Sequence, residues 1–264
     1  LDPKTDSILL YIEGIHDARS FMSGLRAASR MKPVIVLKAG RYEEGSRAAS
    51  SHTGAIVGGD DAFDAALERA GVVRANSITQ LFAAAEILSS GMTVAQNRLM
   101  IVTNGGGPGV MATDRAVEMN LRIPKLSTAT VTALNKILPA AWSHRNPVDI
   151  LGDATPERYA AVLDICLSDD TVDGVLVMLT PQAMTDPAGV AEIVVKAKEK
   201  FKKPLLACWM GNSQVELGRE ILSKAKIPHF QAPESAVEAF SYLASYRSNQ
   251  KMLMQVPASV EEQS

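Results

Sequence analysis

The sequence predicts an α/β protein made of two doubly wound domains with parallel sheets. Three observations carry that prediction. Short runs rich in Val, Ile and Leu alternate with longer stretches of helical periodicity. The runs are apolar at nearly every position, as strands covered by helices on both faces require. A polar, glycine-containing break, Ser90-Gly91-Met92-Thr93-Val94-Ala95-Gln96-Asn97, separates one helix from a new strand. It leaves two parts, each long enough for a small doubly wound domain.

The elements follow in order. Ser7–Ile12 reads as the first strand, and Asp17–Arg30 as a helix opened by an aspartate cap. Pro33–Lys38 and Val72–Ala75 read as strands, with helices over Asp60–Ala70 and Ser77–Leu88, the latter opened by a serine. After the break, strands are expected at Leu99–Thr103, Gly174–Leu179 and Pro204–Met210. Helices are expected at Gly109–Asn120, Ser127–Leu138, Thr155–Leu167, Pro187–Phe201, Ser213–Lys224 and Pro233–Tyr246, several with Pro in the first turn. We place one domain at 1–95, a second at 96–250, and a linker or tail at 251–264. The chain opens on Leu1 with neither an initiator methionine nor a signal-peptide pattern, and closes on a polar stretch. We expect it to be a piece of a longer protein.

Composition narrows the function classes. The chain has 264 residues, 47% hydrophobic and 21% charged, with a net charge of −2. That balance gives no broad basic surface for nucleic acid or anionic membrane. No apolar run reaches the ~18 residues of a membrane span. Cys166 and Cys208 each sit in an apolar segment, as reduced buried thiols do, and a cytoplasmic compartment fits them. No Cys/His cluster has the spacing of a metal site.

Four motifs carry chemistry. The first is Ser50-Ser51-His52-Thr53-Gly54-Ala55, a histidine in a small-residue loop downstream of the Pro33–Lys38 strand. Ser, Thr, Gly and Ala leave room beside the imidazole for a bulky anion and offer hydroxyls and N–H groups to hold it. Covalent chemistry between His52 and phosphate is the sharp reading; a plain surface loop is the alternative. The second is Thr103-Asn104-Gly105-Gly106-Gly107-Pro108-Gly109, where a strand turns through glycines into a helix. Its amides can approach an anion at the positive helix end. It matches neither a P-loop, since no Gly-Lys-Ser/Thr follows, nor the dinucleotide fingerprint. A tight turn that needs glycine is the alternative.

The third is Asn146-Pro147-Val148-Asp149, read as a short strand entering a polar turn and a capped helix. Asn146 and Asp149 could line a site, or Asp149 could serve the turn alone. The fourth is Glu13, which follows the first strand. It stands where doubly wound domains place their sites and could fix the His52 tautomer, or it could be a solvated loop carboxylate. Lys38 ends its strand beside Gly40 and could face phosphate or an acyl carboxylate. His144 sits close to the Asn146–Asp149 turn and could line a site. His16 and His229 read as exposed and structural.

Several of these residues together resemble a known family. The run Lys32–Leu88, with Lys32-Pro33-Val34-Ile35-Val36-Leu37-Lys38-Ala39-Gly40-Arg41, Ala48–Ala55 and Ala70-Gly71-Val72, resembles the second domain of the succinyl-CoA synthetase alpha subunit. More closely, it resembles the NDP-forming acyl-CoA synthetases, typified by ADP-forming acetate–CoA ligases. Tyr11-Ile12-Glu13-Gly14 also matches. Leu99 to about Leu243, with Asn104–Gly109 and Asn146–Asp149 as landmarks, resembles the ligase-CoA domain of that family.

The resemblance implies two flavodoxin-like domains meeting around His52, which is phosphorylated in passing. Helix N-termini near Ser50–Gly54 and Gly106–Val110 would stabilise the phosphate. The implied phosphate-binding set is Ser50, Ser51, Thr53, Gly54, Gly105, Gly106, Gly107 and Gly109, and Glu13 would orient His52. The implied reaction interconverts acyl-CoA, ADP and phosphate with a carboxylic acid, ATP and CoA. It implies CoA, ATP or ADP with Mg2+, and inorganic phosphate as ligands, with a small carboxylic acid as substrate. A CoA-binding domain and an ATP-grasp domain, in the same polypeptide or a partner subunit, would hold most of them. The acyl group, the choice of ADP or GDP, and assembly as a homo-oligomer stay open. An alternative use of the architecture is the acetyl-CoA-sensing region of a bacterial protein lysine acetyltransferase.

Overall fold

The computed structural model describes residues 2–45, 47 and 60–255. The chain forms two compact units: the described residues of Leu1–Gly91 with Ser245–Ser264, and Met92–Ala244.

In the first unit, strands β1 (Ile8–Ile12), β2 (Val34–Lys38) and β3 (Val73–Ala75) form a parallel sheet in the order β1-β2-β3. Helices α1 (Ala18–Ser29) and α2 (Asp60–Arg69) bring Leu25, Leu67 and Phe63 onto Val34 and Val36. The alternate residues Ile35, Leu37, Val73 and Ala75 point to the other face. There α3 (Ile78–Ser89) buries Leu81, Ala84, Ile87 and Leu88.

In the second unit, β4 (Leu99–Thr103), β5 (Val148–Asp149), β6 (Gly174–Leu179), β7 (Leu205–Trp209) and β8 (His229–Phe230) make a parallel sheet in the order β5-β4-β6-β7-β8. Both neighbours of β4 follow it in the chain and lie on opposite sides of it. That is the topological switch of doubly wound folds, and a crevice opens there at the carboxyl ends of the strands. Helices α4 (Gly106–Glu118), α5 (Thr128–Ile137), α6 (Pro156–Leu167), α7 (Pro187–Lys200) and α8 (Glu216–Lys224) complete it, with α9 (Pro233–Leu253) as far as Ala244; the rest of α9 belongs to the first unit. Met100, Val102, Val175, Val177 and Leu179 pack with residues of α5 to α8. Gly174 and Thr103 face the other way, towards Phe240 of α9 and Gly109 of α4.

Boundaries differ from the sequence expectation by about a residue at several strands and by three or more at three helices; the helix expected from Ser213 is a 3-10 turn over Ser213–Val215 and becomes α-helical at Glu216. The helix expected from Gly109 starts at Gly106. Glycine is penalised in helix interiors, but at the first turn the amides need no intrahelical partner and the penalty is small. The last helix runs to Leu253 rather than Tyr246. Its polar end is held within the first unit: Asn249 Nδ2 donates to Val72 O (2.7 Å), and Gln250 Nε2 donates to Ser29 O (3.0 Å) and Gly71 O (3.2 Å).

Candidate functional site

The glycine-rich turn lies at the carboxyl end of β4, beside the switch point. Thr103 Oγ1 accepts from Gly105 N (3.0 Å) and donates to Gly105 O (2.9 Å), which folds the chain sharply off the strand. Asn104 is buried, and its carboxamide is used up across the crevice. Thr180 N donates to Asn104 Oδ1 (2.7 Å), and Asn104 Nδ2 donates to Thr180 O (2.8 Å). These bonds extend the β4–β6 ladder past the ends of both strands. Gln182 Nε2 donates to Asn104 O (3.3 Å) from the same β6 loop.

The start of α4 is then left open. Its N-cap is Gly105, at φ −140° and ψ 117°, with no side-chain cap. Asp17, Ser77, Ser127, Thr155 and Asp186 cap α1, α3, α5, α6 and α7. Pro108 lacks an N–H, so Gly106 and Gly107 present the first two amides, and neither has an acceptor among the described residues. Two unfilled donors at the positive end of a 13-residue helix favour an anion.

The glycines have separate physical reasons. A Cβ at Gly105 would stand 2.9 Å from Thr180 Oγ1, and one at Gly106 3.0 Å from Asp149 Oδ2. At Gly109 it would meet Thr103 Cγ2 at 3.1 Å, so Gly109 lets α4 pack closely. At Gly107 nothing among the described residues lies within 4 Å. Packing makes no demand for glycine there, and its absent side chain leaves room beside the amides.

Asp149 ends β5 and borders this turn. Its Oδ1 accepts from Leu151 N (3.0 Å), while Oδ2 faces Gly106. The structure thus brings Gly105, Gly106, Gly107 and Asp149 together at one crevice. Asn146 plays a different part. Ile101 N donates to its Oδ1 (3.0 Å), and its Nδ2 donates to Leu99 O (3.0 Å) and Pro124 O (3.3 Å). The side chain is consumed by the edge of β4. His144 is engaged as well: its ring nitrogens lie 3.0 Å from Asn135 Oδ1 and 2.9 Å from Ala140 O.

In the first unit, Glu13 follows β1 directly, half-buried, and no described side chain pairs with it. Lys38 closes β2 opposite Ile12 and is buried, with Nζ 3.5 Å from Asp60 Oδ1. Arg41 Nε reaches Asp60 Oδ2 at 3.2 Å, and Arg74 Nη2 reaches Asp60 Oδ1 at 2.6 Å. Burial works to raise the Asp60 pKa, but the two guanidinium groups outweigh it and hold the carboxyl below its ordinary value. Sequence reasoning passed over Arg74 and Asp60. A charged residue inside the short apolar run Val72–Ala75 was the available signal. His52, Ser50, Ser51, Thr53 and Gly54 lie outside the described residues.

Two family descriptions match. Residues 1–88 match a succinyl-CoA ligase like flavodoxin domain, and residues 99–252 match a ligase-CoA domain. Acetate–CoA ligase [ADP-forming] I of Archaeoglobus fulgidus is 41% identical over 245 residues, which is 93% of this chain and 35% of that protein. Acetate–CoA ligase [ADP-forming] I subunit alpha of Pyrococcus furiosus is 37% identical, over 92% of this chain and 53% of the subunit. Among solved structures, dinucleotide forming acetyl-coenzyme A synthetase 1 of Ca. Korarchaeum cryptofilum, in complex with phosphate and ADP, superposes with a TM-score of 0.88 at 33% identity. It covers 97% of this chain and 57% of that one. The chain therefore spans between a third and rather more than half of these proteins, and the two flavodoxin-like units are the part it shares. With both domain families matched in order over most of its length, the chain belongs to the NDP-forming acyl-CoA synthetase family.

Proposed function

We propose that this chain is the phosphohistidine-bearing portion of an ADP-forming acyl-CoA synthetase. The observation that carries the reading is the uncapped start of α4 at the switch point, with two amides open to an anion. The similarity to acetate–CoA ligases over nine-tenths of the chain supports it.

In the acid-forming direction, a phosphate oxygen attacks the thioester carbonyl. The C–S bond breaks, CoA leaves as its thiol, and an acyl phosphate remains. A ring nitrogen of His52 then attacks phosphorus; the P–O bond to the acyl group breaks and the carboxylate departs. Finally a β-phosphate oxygen of ADP attacks the phosphohistidine, giving ATP and free imidazole. Splitting the transfer in two lets separate sites share one phosphoryl group. Each transfer depends mainly on alignment and on charge stabilisation.

The chain's own residues then have distinct roles. Glu13 accepts from one ring nitrogen of His52 and leaves the other as nucleophile. The amides of Gly106 and Gly107 are donors for phosphoryl oxygens, and Ser50, Ser51, Thr53 and Gly54 are the phosphate-binding residues that the sequence offers beside His52. Nucleotide with its Mg2+, and CoA, belong to ATP-grasp and CoA-binding domains beyond this chain. The test is ATP formation from ADP, phosphate and acetyl-CoA by the full-length protein. We expect His52→Ala to abolish it while the fold persists, since alanine suits a stretch of small residues. Full ATP formation by the variant would refute the reading.

A further inference from the structure

Thr103 is the last residue of β4 and is fully buried, a hydroxyl at the end of a strand otherwise made of Leu99, Met100, Ile101 and Val102. Its methyl lies against α4, where a Cβ at Gly109 would stand 3.1 Å from Thr103 Cγ2. Its hydroxyl faces the glycine turn. Gly105 N can only donate, so Thr103 Oγ1 accepts from it at 3.0 Å, and the one hydroxyl hydrogen goes to Gly105 O at 2.9 Å. A single oxygen atom therefore holds two successive peptide groups. It holds the N–H of the one joining Asn104 to Gly105, and the C=O of the one joining Gly105 to Gly106.

Helix capping does not account for this. A hydroxyl at a helix start usually accepts from the second or third amide. Ser127 and Thr155 do so at α5 and α6, accepting from Thr130 N and Arg158 N. Thr103 instead precedes the N-cap, Gly105, and grips the cap residue's own N–H and C=O, leaving the Gly106 and Gly107 amides uncovered. Nor is the bond needed to satisfy Gly105 O, which already accepts from Gly109 N at 3.3 Å. What the second bond adds is direction. The peptide group is planar and trans, so its N–H points opposite to its C=O. With Gly105 O tied back to the end of β4, the Gly106 N–H is turned away from the strand, out of the turn. Glycine on both sides leaves that peptide free to rotate, so its orientation has to be imposed from outside.

We propose that Thr103 is a positioning residue for the phosphate site: its hydroxyl locks the Gly105–Gly106 peptide so that the Gly106 N–H is aimed at the bound phosphoryl group. This inference rests on the acyl-CoA synthetase reading above. Thr103 touches no substrate in it. It acts through the amide, whose hydrogen bond weakens steeply once bent below about 120°. A donor fixed in advance costs no reorganisation when charge develops on the oxygen it faces.

The experiment is ATP formation from ADP, phosphate and acetyl-CoA by the full-length protein, for wild type, Thr103→Val, Thr103→Ser and Thr103→Cys, with thermal melting of the same preparations. Thr103→Val keeps a methyl against Gly109 and loses the hydroxyl. Thr103→Ser keeps the hydroxyl and loses the methyl. Both should melt below wild type. Only Thr103→Val should lose function: kcat/KM for phosphate should fall about 10- to 100-fold with the KM for ADP unchanged, while Thr103→Ser stays within about 3-fold of wild type per folded molecule. Thr103→Cys, whose thiol hydrogen-bonds weakly, carries the test if Thr103→Val does not fold, and should lose about 10-fold. A purely structural role would leave Thr103→Val, or Thr103→Cys in its place, turning over per folded molecule like wild type or like Thr103→Ser. That result, with an active wild type, would overturn this inference alone. Absence of ATP formation by wild type would overturn the synthetase reading and this inference with it.

Discussion

Gly107 separates stability from function more cleanly than any other position in the second unit. It sits in the first turn of α4 with no atom of the described residues within 4 Å of an added Cβ, and its φ is not among the positive ones. Gly107→Ala thus meets no clash among the described residues and needs no backbone change. Alanine also lowers the conformational entropy of the unfolded chain, so the variant should be more stable by about 0.4–1 kcal/mol. For a domain of this size that is a rise in Tm of roughly 1–4 °C. Function should move the other way. Helical Cβ atoms tilt towards the N-terminus, so the new methyl leans over the open amides of Gly106 and Gly107. Loss of one hydrogen bond to a charged group costs about 1.5–3 kcal/mol, or roughly 10- to 150-fold in turnover. Thermal melting and ATP formation, measured on one preparation, test both halves. A variant that melts higher and turns over like wild type would refute the assignment of this turn to phosphate.

Other outcomes follow from named contacts. Asp149→Asn keeps the acceptor for Leu151 N but removes a negative charge facing Gly106, so the KM for phosphate should fall several-fold in steady-state kinetics; a higher KM would show that the carboxylate assists binding. Arg98 grips Asp173 through Nε–Oδ2 (2.9 Å) and Nη2–Oδ1 (2.8 Å), while the Asp173 side chain is 2% exposed. Burial pushes the Asp173 pKa up, but Arg98 outweighs it and holds the group below its ordinary value. The pair's stability is therefore full above the unfolded aspartate value of about 3.9 and is lost as pH falls through the lower folded value. Arg98→Gln should cost about 3–5 kcal/mol at pH 7 in urea titrations, and should recover part of that on acidification, when Asp173 takes up a proton. Gly218→Ala would place its Cβ 2.7 Å from both Pro187 O and Trp209 Nε1, where α7 and α8 meet, and should destabilise by about 1–3 kcal/mol with little effect on chemistry per folded molecule.

The fold was legible wherever a strand was apolar throughout. Val34–Lys38, Leu99–Thr103 and Gly174–Leu179 are buried at every position, and such runs announce central parallel strands. Two-residue strands carry no such pattern: β8 holds His229, and its strand character comes from pairing with Ala207 and Cys208. The end of α9 was hidden because Arg247-Ser248-Asn249-Gln250-Lys251 has no apolar residue to carry the helical pattern past Tyr246. Asn249 and Gln250 are placed by acceptors at Val72, Ser29 and Gly71, far away in sequence. Local propensity has no access to such partners.

The candidate site was legible in part, for a similar reason. Glycines between a strand and a helix mark a turn with open amides, and Gly105 to Gly107 have that character. Asn146 looked like a site residue because polar side chains near a crevice usually are. Its bonds to Ile101 N and Leu99 O exist only once β4 is laid beside it. The Asp60 cluster escaped notice because its members, Lys38, Arg41, Asp60, Asp64 and Arg74, are scattered along the sequence. Parallel pairing of β2 with β3 brings Arg74 near the end of β2, and α2 adds Asp60 and Asp64.

The most direct test of the central claim is covalent. Full-length protein is incubated with γ-labelled ATP and Mg2+, quenched, and compared with His52→Ala. The account predicts label that is acid-labile and base-stable, discharged by ADP, and absent from the variant. An unlabelled wild-type protein that folds and binds nucleotide, or a variant labelled as well as wild type, would contradict it.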